Sequence, residues 1–238
     1  DAELIGDYRG LAVTGFAEAV AVLPRSLAMY RRLVAAARAE RPDVFVAIDF
    51  PDFNFRLAGA LNRLGVPVVY YIGPQVWAWR KGRLRTIKRM VARALVIFPF
   101  EEPLYRDAGI PVEFVGHPLM DLTGTNGSRE QFLERLGLDP RAPTLALLPG
   151  SRPNELRAIL PGLARAAVLI ARRVPRAQFL VARAPNLDAD LFRCLEGFES
   201  AGLPPPVVVE ARTNDALAAS DVVLTASGTA TVQAAIHE

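Results

Sequence analysis

The sequence has one cysteine and no long apolar run, and each shortage excludes a class of protein. Cys194 has no second thiol to pair with, which excludes a disulfide scaffold and favours a reducing compartment. The best candidate for a membrane span, residues 64–79, contains Pro67, Gly73 and Pro74 and is shorter than the ~20 apolar residues that a helical span needs. Apolar residues still make up 51% of the chain, which excludes intrinsic disorder.

Positive and negative charges also nearly balance. The 238 residues include 28 Lys and Arg against 25 Asp and Glu, a net charge of +3. So small an excess does not indicate nucleic acid, and none is expected as a partner. It is compatible with phosphorylated substrates or with an anionic membrane surface.

Short apolar runs alternate with longer amphipathic runs along the whole chain. The runs lack a period of two, which predicts parallel strands covered on both faces of their sheets. Strands are expected at residues 44–49, 66–72, 94–98, 112–115, 144–148, 178–182, 207–210 and 221–225. The intervening helical patterns, with Asn54 as the N-cap of one helix, predict a doubly wound α/β fold.

A polar, Gly-rich stretch near residues 116–143 divides the pattern into two Rossmann-like halves. We therefore expect an N-terminal domain over residues 1–120 and a C-terminal domain over 121–238. The first half begins without an opening strand and the second stops within its last helix, so both domains are expected to be incomplete in this chain.

The first half offers a carboxylate at the end of a strand. Asp49 ends the run VFVAID, and ligands of open α/β sheets bind at the carboxyl ends of the strands. A bonded loop residue is the alternative for Asp49. Asp52 follows in the turn, where it is expected to assist the start of the next helix.

Both tryptophans, Trp77 and Trp79, follow the next strand. Their rings are expected to line a pocket or to contact lipid, and ordinary packing beneath the next helix is the alternative.

Residues 80–93 then carry seven cations and no acid, with Arg85, Lys88 and Arg89 on one helical face. This pattern is typical of a helix that binds an anionic bilayer or a phosphate, although a solvated helix surface would give the same pattern.

Two strand-to-helix turns of the second half carry small and basic residues. Gly150, Ser151 and Arg152 follow one strand, and Ser227, Gly228 and Thr229 follow another. Glycine permits close approach of the main chain, arginine pairs with phosphate oxygens, and the N-terminus of a helix favours an anion. Because both turns lie at the same sheet edge, they predict a joint phosphate site. N-capping by Ser227 or Thr229 is the simpler alternative.

No metal site is expected. His117 and His237 are far apart in the sequence, with no cluster of ligands at metal-binding spacing. The DxD sequence at 188–190 falls at an expected helix start, where acids compensate the helix dipole.

Taken together, six segments resemble the lipid-A-disaccharide synthase family, bacterial glycosyltransferases in which two Rossmann-like domains have the GT-B arrangement. The segments are LAVTGFAEAV, RPDVFVAIDFPDFNFRLA, GPQVWAWRKGRLRTIKR, FPFEEPLYRDAGIPVEFVGHPLMD, LALLPGSRPNEL and SDVVLTASGTATVQAAI. They occur in the family's order and span nearly all of residues 10–236.

The resemblance implies an inverting transfer of 2,3-diacylglucosamine from its UDP ester to the 6-hydroxyl of 2,3-diacylglucosamine 1-phosphate, without a metal or other cofactor. It implies that Asp49 is the general base. It further implies a cytoplasmic enzyme, peripheral on the inner face of the inner membrane; a homodimer is left open. The residues expected to contact the UDP donor are Gly150, Ser151, Arg152, Glu155, Ser227, Gly228, Thr229 and Gln233. Those expected to face the acyl-sugar acceptor or lipid are Asp52, Asn54, Gln75, Trp77, Trp79 and Arg80.

The sequence departs from the family at several points. A Gly-rich GExSGD-type loop that normally opens the family is absent, and Gln233 stands where the family usually has Glu. An amide offers one acceptor oxygen to ribose where a carboxylate offers two. Two alternatives stay open: another UDP-sugar GT-B enzyme, such as an N-acetylglucosamine transferase or epimerase, and a non-catalytic nucleotide-sugar or lipid-binding module.

Overall fold

The computed structural model describes residues 3–5, 16–76, 82–185 and 187–237, and for residues 16–22 it describes the main chain alone. The chain divides into two compact units, Asp1–His117 and Pro118–Glu238. Unit 1 contains α1 (Phe16–Glu40), β1 (Phe45–Ile48), α2 (Pro51–Arg63), β2 (Val68–Tyr71), α3 (Arg83–Met90), β3 (Arg93–Val96), α4 (Glu101–Asp107) and β4 (Val112–Phe114).

Unit 2 opens with a 3₁₀ helix (Pro118–Asp121), and a second one (Ala189–Glu196) lies in its middle. Its other elements are α5 (Arg129–Arg135), β5 (Thr144–Leu148), α6 (Pro153–Arg173), β6 (Gln178–Arg183), α7 (Gly197–Ser200), β7 (Val207–Glu210), α8 (Thr213–Ala218), β8 (Val222–Thr225) and α9 (Thr229–Ile236). Every expected strand is present, and the predicted class of two parallel α/β units is confirmed.

The sheet of unit 2 is covered on both faces. Strand β5 is buried throughout. Its Leu145 and Leu147 pack towards α6, while Ala146 and Leu148 belong to the opposite cluster with Leu217 of α8. Its strand order, β7-β6-β5-β8, places later strands on both sides of β5. Such an order creates a switch point, where a crevice opens at the carboxyl ends of the two central strands.

The sheet of unit 1 has the order β1-β2-β3-β4, all parallel. One of its faces is packed under Ile87 of α3 and Tyr105 of α4. On the other face, Val46 and Ile48 of β1 are 48% and 56% exposed. The prediction that both faces are covered is therefore wrong at β1, as far as the described residues extend.

Asn54 does not cap its helix. Helix α2 begins three residues earlier, at Pro51, because proline has a fixed φ suited to the first helical position. The N-cap residue is Phe50, and its side chain accepts no capping hydrogen bond. The N-cap prediction was wrong because it relied on residue type, whereas proline set the boundary.

Candidate functional site

The largest concentration of predicted site residues lies at the switch point of unit 2. A cavity of about 450 Å³ opens there, beyond the carboxyl ends of β5 and β8. It is lined by all eight residues that the sequence assigned to the donor: Gly150, Ser151, Arg152, Glu155, Ser227, Gly228, Thr229 and Gln233. Residues from two turns about 75 positions apart thus meet in one pocket, because β5 and β8 are hydrogen-bonded neighbours.

The turn between β5 and α6 is organised by Glu155. One oxygen of its carboxylate accepts hydrogen bonds from the main-chain N–H groups of Ser151 and Arg152, at 3.2 and 3.3 Å. The other accepts from the Arg152 guanidinium at 2.9 Å. Glu155 therefore both caps its helix and orients Arg152. In this conformation the N–H groups of Ser151 and Arg152 are therefore taken up by Glu155, and the predicted phosphate contact of this turn stays a prediction.

Gly150 is required for this turn. Its φ of +112° lies in the left-handed region, which side chains disfavour. A Cβ at this position would lie 2.6 Å from a carboxylate oxygen of Glu155 and 3.1 Å from the Glu155 Cβ. Glycine thus allows Glu155 to fold back over the turn.

The turn between β8 and α9 is different, because no side chain caps it. Gly228 is the N-cap residue, with a φ of +140°, and the first turn of α9 contains no acid. Capping by Ser227 or Thr229, the simpler alternative, is not observed. The N-terminus of α9 faces the pocket through Ser227, Gly228 and Thr229, all exposed, and its dipole favours an anion there.

Six other lining residues were not predicted: three of them, Leu148, Ala226 and Ala230, adjoin the predicted turns, and the other three come from elsewhere in unit 2. Ala182 and Ala184 come from the end of β6, and Thr213 begins α8. Alanines at a strand end carry no chemical signature, and only the pairing of β6 with β5 could have located them. Their small side chains leave room in the pocket.

At the corresponding edge of unit 1, Asp49 directly follows β1 and is exposed. Asp49 and Phe50 have φ values of +45° and +43°, two consecutive left-handed residues that are not glycine. Such conformations cost free energy and persist only where the surroundings impose them. The main-chain oxygen of Asp49 accepts hydrogen bonds from the Asn54 amide at 2.7 Å and from the Tyr70 hydroxyl at 2.9 Å.

Asp52 lies in the first turn of α2, as expected, and it also forms an ion pair that the sequence did not predict. Its carboxylate accepts from the Arg83 guanidinium at 2.6 Å, which links the starts of α2 and α3. The same guanidinium carbon lies 5.5 Å from the centre of the Phe55 ring. Arg83 is therefore held in place by two contacts.

Helix α3 has the two faces that its sequence predicts. Ile87 is buried, whereas Arg85, Lys88 and Arg89 are exposed and form no ion pair within the described part of the chain. Gln75 is exposed between two buried residues of the loop after β2. Trp77, Trp79 and Arg80 lie outside the described residues.

A groove in unit 1 was not predicted. It occupies about 540 Å³ between α1 and α2, and its lining includes Tyr30, Phe53, Phe55 and Met90 together with Arg56 and Arg63. Its residues are scattered through α1, α2 and α3, so their proximity follows from helix packing, which no short motif encodes. An apolar groove with two cations is suited to an acyl chain attached to an anionic group.

Among residues 3–5, 16–76, 82–185 and 187–237, no three His, Cys, Asp or Glu side chains are grouped so that they could hold a metal ion. Within the same ranges, no helix combines the length and apolar character that crossing a bilayer requires.

The parallel sheets and the switch-point pocket define a protein built from Rossmann-like α/β units. The solved structure of the UDP-GlcNAc 2-epimerase from Methanocaldococcus jannaschii has a similar fold, with a TM-score of 0.58 at 15% identity, over 95% of this chain and 66% of that one. The chain belongs to the lipid-A-disaccharide synthetase family, whose sequence profile matches residues 1–238.

Two curated relatives support this membership. The chain is 44% identical over 236 residues to the lipid-A-disaccharide synthase of Myxococcus xanthus, covering 99% of this chain and 61% of that protein. It is also 44% identical over 239 residues to that of Koribacter versatilis, covering 98% and 60%. The chain thus spans about three fifths of the length of the curated relatives it matches.

Proposed function

We propose that the protein carrying this chain is a lipid-A-disaccharide synthase. It transfers 2,3-diacylglucosamine from UDP to the 6-hydroxyl of 2,3-diacylglucosamine 1-phosphate, and it releases UDP and the β-1,6-linked disaccharide 1-phosphate. Family membership gives the reaction class. The observation that carries the proposal for this chain is the switch-point pocket, which contains every residue expected to contact the donor.

In the proposed donor site, the diphosphate lies against the N-terminus of α9. The main-chain N–H groups near Ser227–Thr229 supply fixed partial positive charge where the departing UDP gains negative charge. Arg152 adds a guanidinium held by Glu155. Gln233, half-buried in the pocket wall, is assigned to the ribose hydroxyls.

In the proposed reaction, the acceptor 6-hydroxyl oxygen attacks the anomeric carbon while the bond from that carbon to the β-phosphate oxygen breaks. Attack from the face opposite to UDP inverts the anomeric centre. The Asp49 carboxylate takes the hydroxyl proton as the new bond forms, because a sugar hydroxyl is a poor nucleophile at neutral pH. The exposure of Asp49 at a strand end supports this role.

The acceptor is assigned to unit 1. The groove with Tyr30, Phe53, Phe55 and Met90 supports binding of an acyl chain, and Arg56 and Arg63 support an accompanying phosphate. Asp52, Asn54, Gln75, Trp77, Trp79 and Arg80 stay predictions as acceptor-facing or lipid-facing residues. The exposed cations of α3 support a peripheral position on an anionic membrane, at the cytoplasmic face of the inner membrane.

Calorimetric titration with UDP tests the donor site. Arg152→Ala should weaken binding by a charge-assisted contact, about 1.5–3 kcal/mol, towards the lower end because the side chain is largely exposed. Arg157→Ala is the matched control: it removes an exposed arginine of the same helix that bonds Asn154 instead of lining the pocket. Equal UDP affinity in the parent and in Arg152→Ala would remove Arg152 from the site.

A second titration separates the proposal from other UDP-sugar enzymes. UDP-diacylglucosamine should bind more tightly than UDP-N-acetylglucosamine, because only the former carries long acyl chains that gain from apolar burial. Equal affinities for the two nucleotide sugars, with no turnover of the acylated one, would favour a different UDP-sugar activity.

A further inference from the structure

The main chain at Asp49 is fixed by side chains from two other places in the fold. The Tyr70 hydroxyl reaches it from β2, a neighbouring strand, and the Asn54 amide reaches it from α2. The Asn54 amide nitrogen also donates to the Ile48 oxygen at 3.1 Å. Tyr70 and Asn54 are only 1% and 9% exposed.

These bonds hold a conformation that the local sequence does not favour. Neither Asp49 nor Phe50 has the freedom of glycine, yet both are left-handed. Two further main-chain bonds support the segment: the Asp49 N–H donates to the Tyr71 oxygen, and the Asn54 N–H donates to the Phe50 oxygen. The direction of the Asp49 side chain from the main chain is set by this arrangement, because φ and ψ fix the Cα–Cβ vector.

The Tyr70 hydroxyl stays able to donate a hydrogen bond. Burial, and secondly the negative charge of Asp49, raise the pKa of the Tyr70 phenol far above its ordinary value. The hydroxyl therefore keeps its proton at every pH at which the protein would be assayed. Its bond to the Asp49 oxygen does not depend on pH.

We propose that Tyr70 and Asn54 are positioning residues, which hold the left-handed turn at Asp49 so that its side chain leaves the main chain in one fixed direction. The proposal rests on the proposed function, in which Asp49 is the general base. Tyr70 does not touch the substrate in this account, and Asn54, whose amide nitrogen bonds the Ile48 and Asp49 oxygens, acts through Asp49 in place of the contact with the acceptor that the sequence predicted for it. Each acts through the main chain of Asp49, where a small displacement of the base is enough to slow proton transfer.

The test measures disaccharide formation in the full-length protein that carries this chain, for Tyr70→Phe and Asn54→Ala. Tyr70→Phe removes one oxygen and keeps the ring, and Asn54→Ala removes both amide bonds. Each should lower kcat about 10- to 100-fold while leaving KM for both substrates unchanged. Asn62→Ala is the matched control: Asn62 is also on α2 and also donates to a main-chain oxygen, that of Met90, but it does not contact Asp49.

A double-mutant cycle separates positioning from a merely structural role. In an Asp49→Asn background, Tyr70→Phe and Asn54→Ala should cause no further loss of kcat, because no base remains to be positioned. If they lower kcat by the same factor in both backgrounds, or leave kcat of the parent unchanged, the positioning proposal is overturned.

The cycle also reveals a failure of the proposed function separately. If Asp49→Asn alone keeps full turnover, Asp49 is not the base and the positioning proposal falls with that assignment. If Asp49→Asn abolishes turnover while both positioning variants are fully active, only the positioning proposal fails. Should Asn54→Ala fold poorly in thermal denaturation, Tyr70→Phe still decides the outcome, because it preserves the packed ring.

Discussion

Replacing Gly150 with alanine tests the geometry of the donor pocket most directly. The substitution adds one methyl group to a residue with φ +112°, where a side chain is strained by about 1–3 kcal/mol. The new Cβ would also lie 2.6 Å from a carboxylate oxygen of Glu155, so that carboxylate has to move. Moving it breaks its hydrogen bonds to the Ser151 and Arg152 N–H groups, a cap worth about 1 kcal/mol.

Two other glycines of unit 2 separate these effects. Gly228 has φ +140°, but a methyl group added there would meet nothing within 4 Å, so Gly228→Ala should show the backbone strain alone, about 1–3 kcal/mol. Gly162 lies inside α6, without a left-handed φ and with open space around it. Gly162→Ala should therefore stabilise the protein by about 0.5–1 kcal/mol.

Urea denaturation and UDP titration together check the series. The expected order of unfolding free energy is Gly162→Ala above the parent, then Gly228→Ala, then Gly150→Ala at about 2–4 kcal/mol below the parent. UDP affinity should fall in both Gly150→Ala and Gly228→Ala and should be unchanged in Gly162→Ala. If Gly150→Ala were as stable as the parent and bound UDP equally well, the left-handed turn and the inward fold of Glu155 would be refuted.

Three further predictions concern other parts of the chain. Asp49→Asn in the full-length protein should lower turnover about 10²–10⁴-fold and leave UDP affinity intact. Asp52→Asn loses the bond to Arg83 and should mainly lower the stability of the fold. If steady-state kinetics show that Asp52→Asn abolishes turnover and Asp49→Asn does not, Asp52 is the general base. The protein should co-sediment with anionic vesicles, and the bound fraction should fall as salt is added. Arg85→Glu should lower that fraction, whereas Arg193→Glu in unit 2 should not. If the parent binds neutral vesicles as well as anionic ones, the prediction is wrong. The hydrogen bond from Arg129 lowers the pKa of Asp221, so Asp221 stabilises the fold above its unfolded pKa of about 3.9 and loses that contribution as the pH falls through its folded pKa. Asp221→Asn should therefore be less stable at pH 7, by at most about 1 kcal/mol for this half-exposed pair, and its urea midpoint should fall less on acidification than that of the parent.

Much of the fold follows from the sequence because strands and helices leave periodic patterns. The predicted strands at 144–148 and 207–210 match β5 and β7 residue for residue. A short run of β-branched and aliphatic residues between polar turns is typical of a buried strand. The N-cap of α2 lies at Phe50, four residues before the predicted Asn54, because Pro51 outweighed the capping preference of Asn54. Val46 and Ile48 were predicted to be covered, but they are exposed among the described residues. An apolar run indicates that a residue can be buried, and it does not identify the element that would cover it.

The donor pocket could be predicted because its chemistry is local. Gly150, Ser151 and Arg152 are consecutive, and so are Ser227, Gly228 and Thr229, so each turn is legible as strand, small residues and helix. The contribution of Ala182, Ala184 and Thr213 could not be found in this way, because they come from other strand ends and belong to no local motif. The same holds for Tyr70, whose hydroxyl bonds the main chain 21 residues away and which resembles any other tyrosine in a buried strand.

The role of Glu155 changes how the pocket would receive a diphosphate. A turn of the form Gly-Ser-Arg before a helix suggests a cationic site, yet Arg152 is paired with Glu155 at 2.9 Å, so their formal charges cancel locally. The same carboxylate also occupies the N–H groups of Ser151 and Arg152. The uncapped N-terminus of α9 adds attraction for an anion that this pairing does not offset, because its partial charges belong to neutral peptide groups and its first turn contains no acid. The Glu155 carboxylate fixes the direction of the Arg152 guanidinium and offsets part of its field, so in the proposed donor site Arg152 would contribute oriented hydrogen bonds more than net charge.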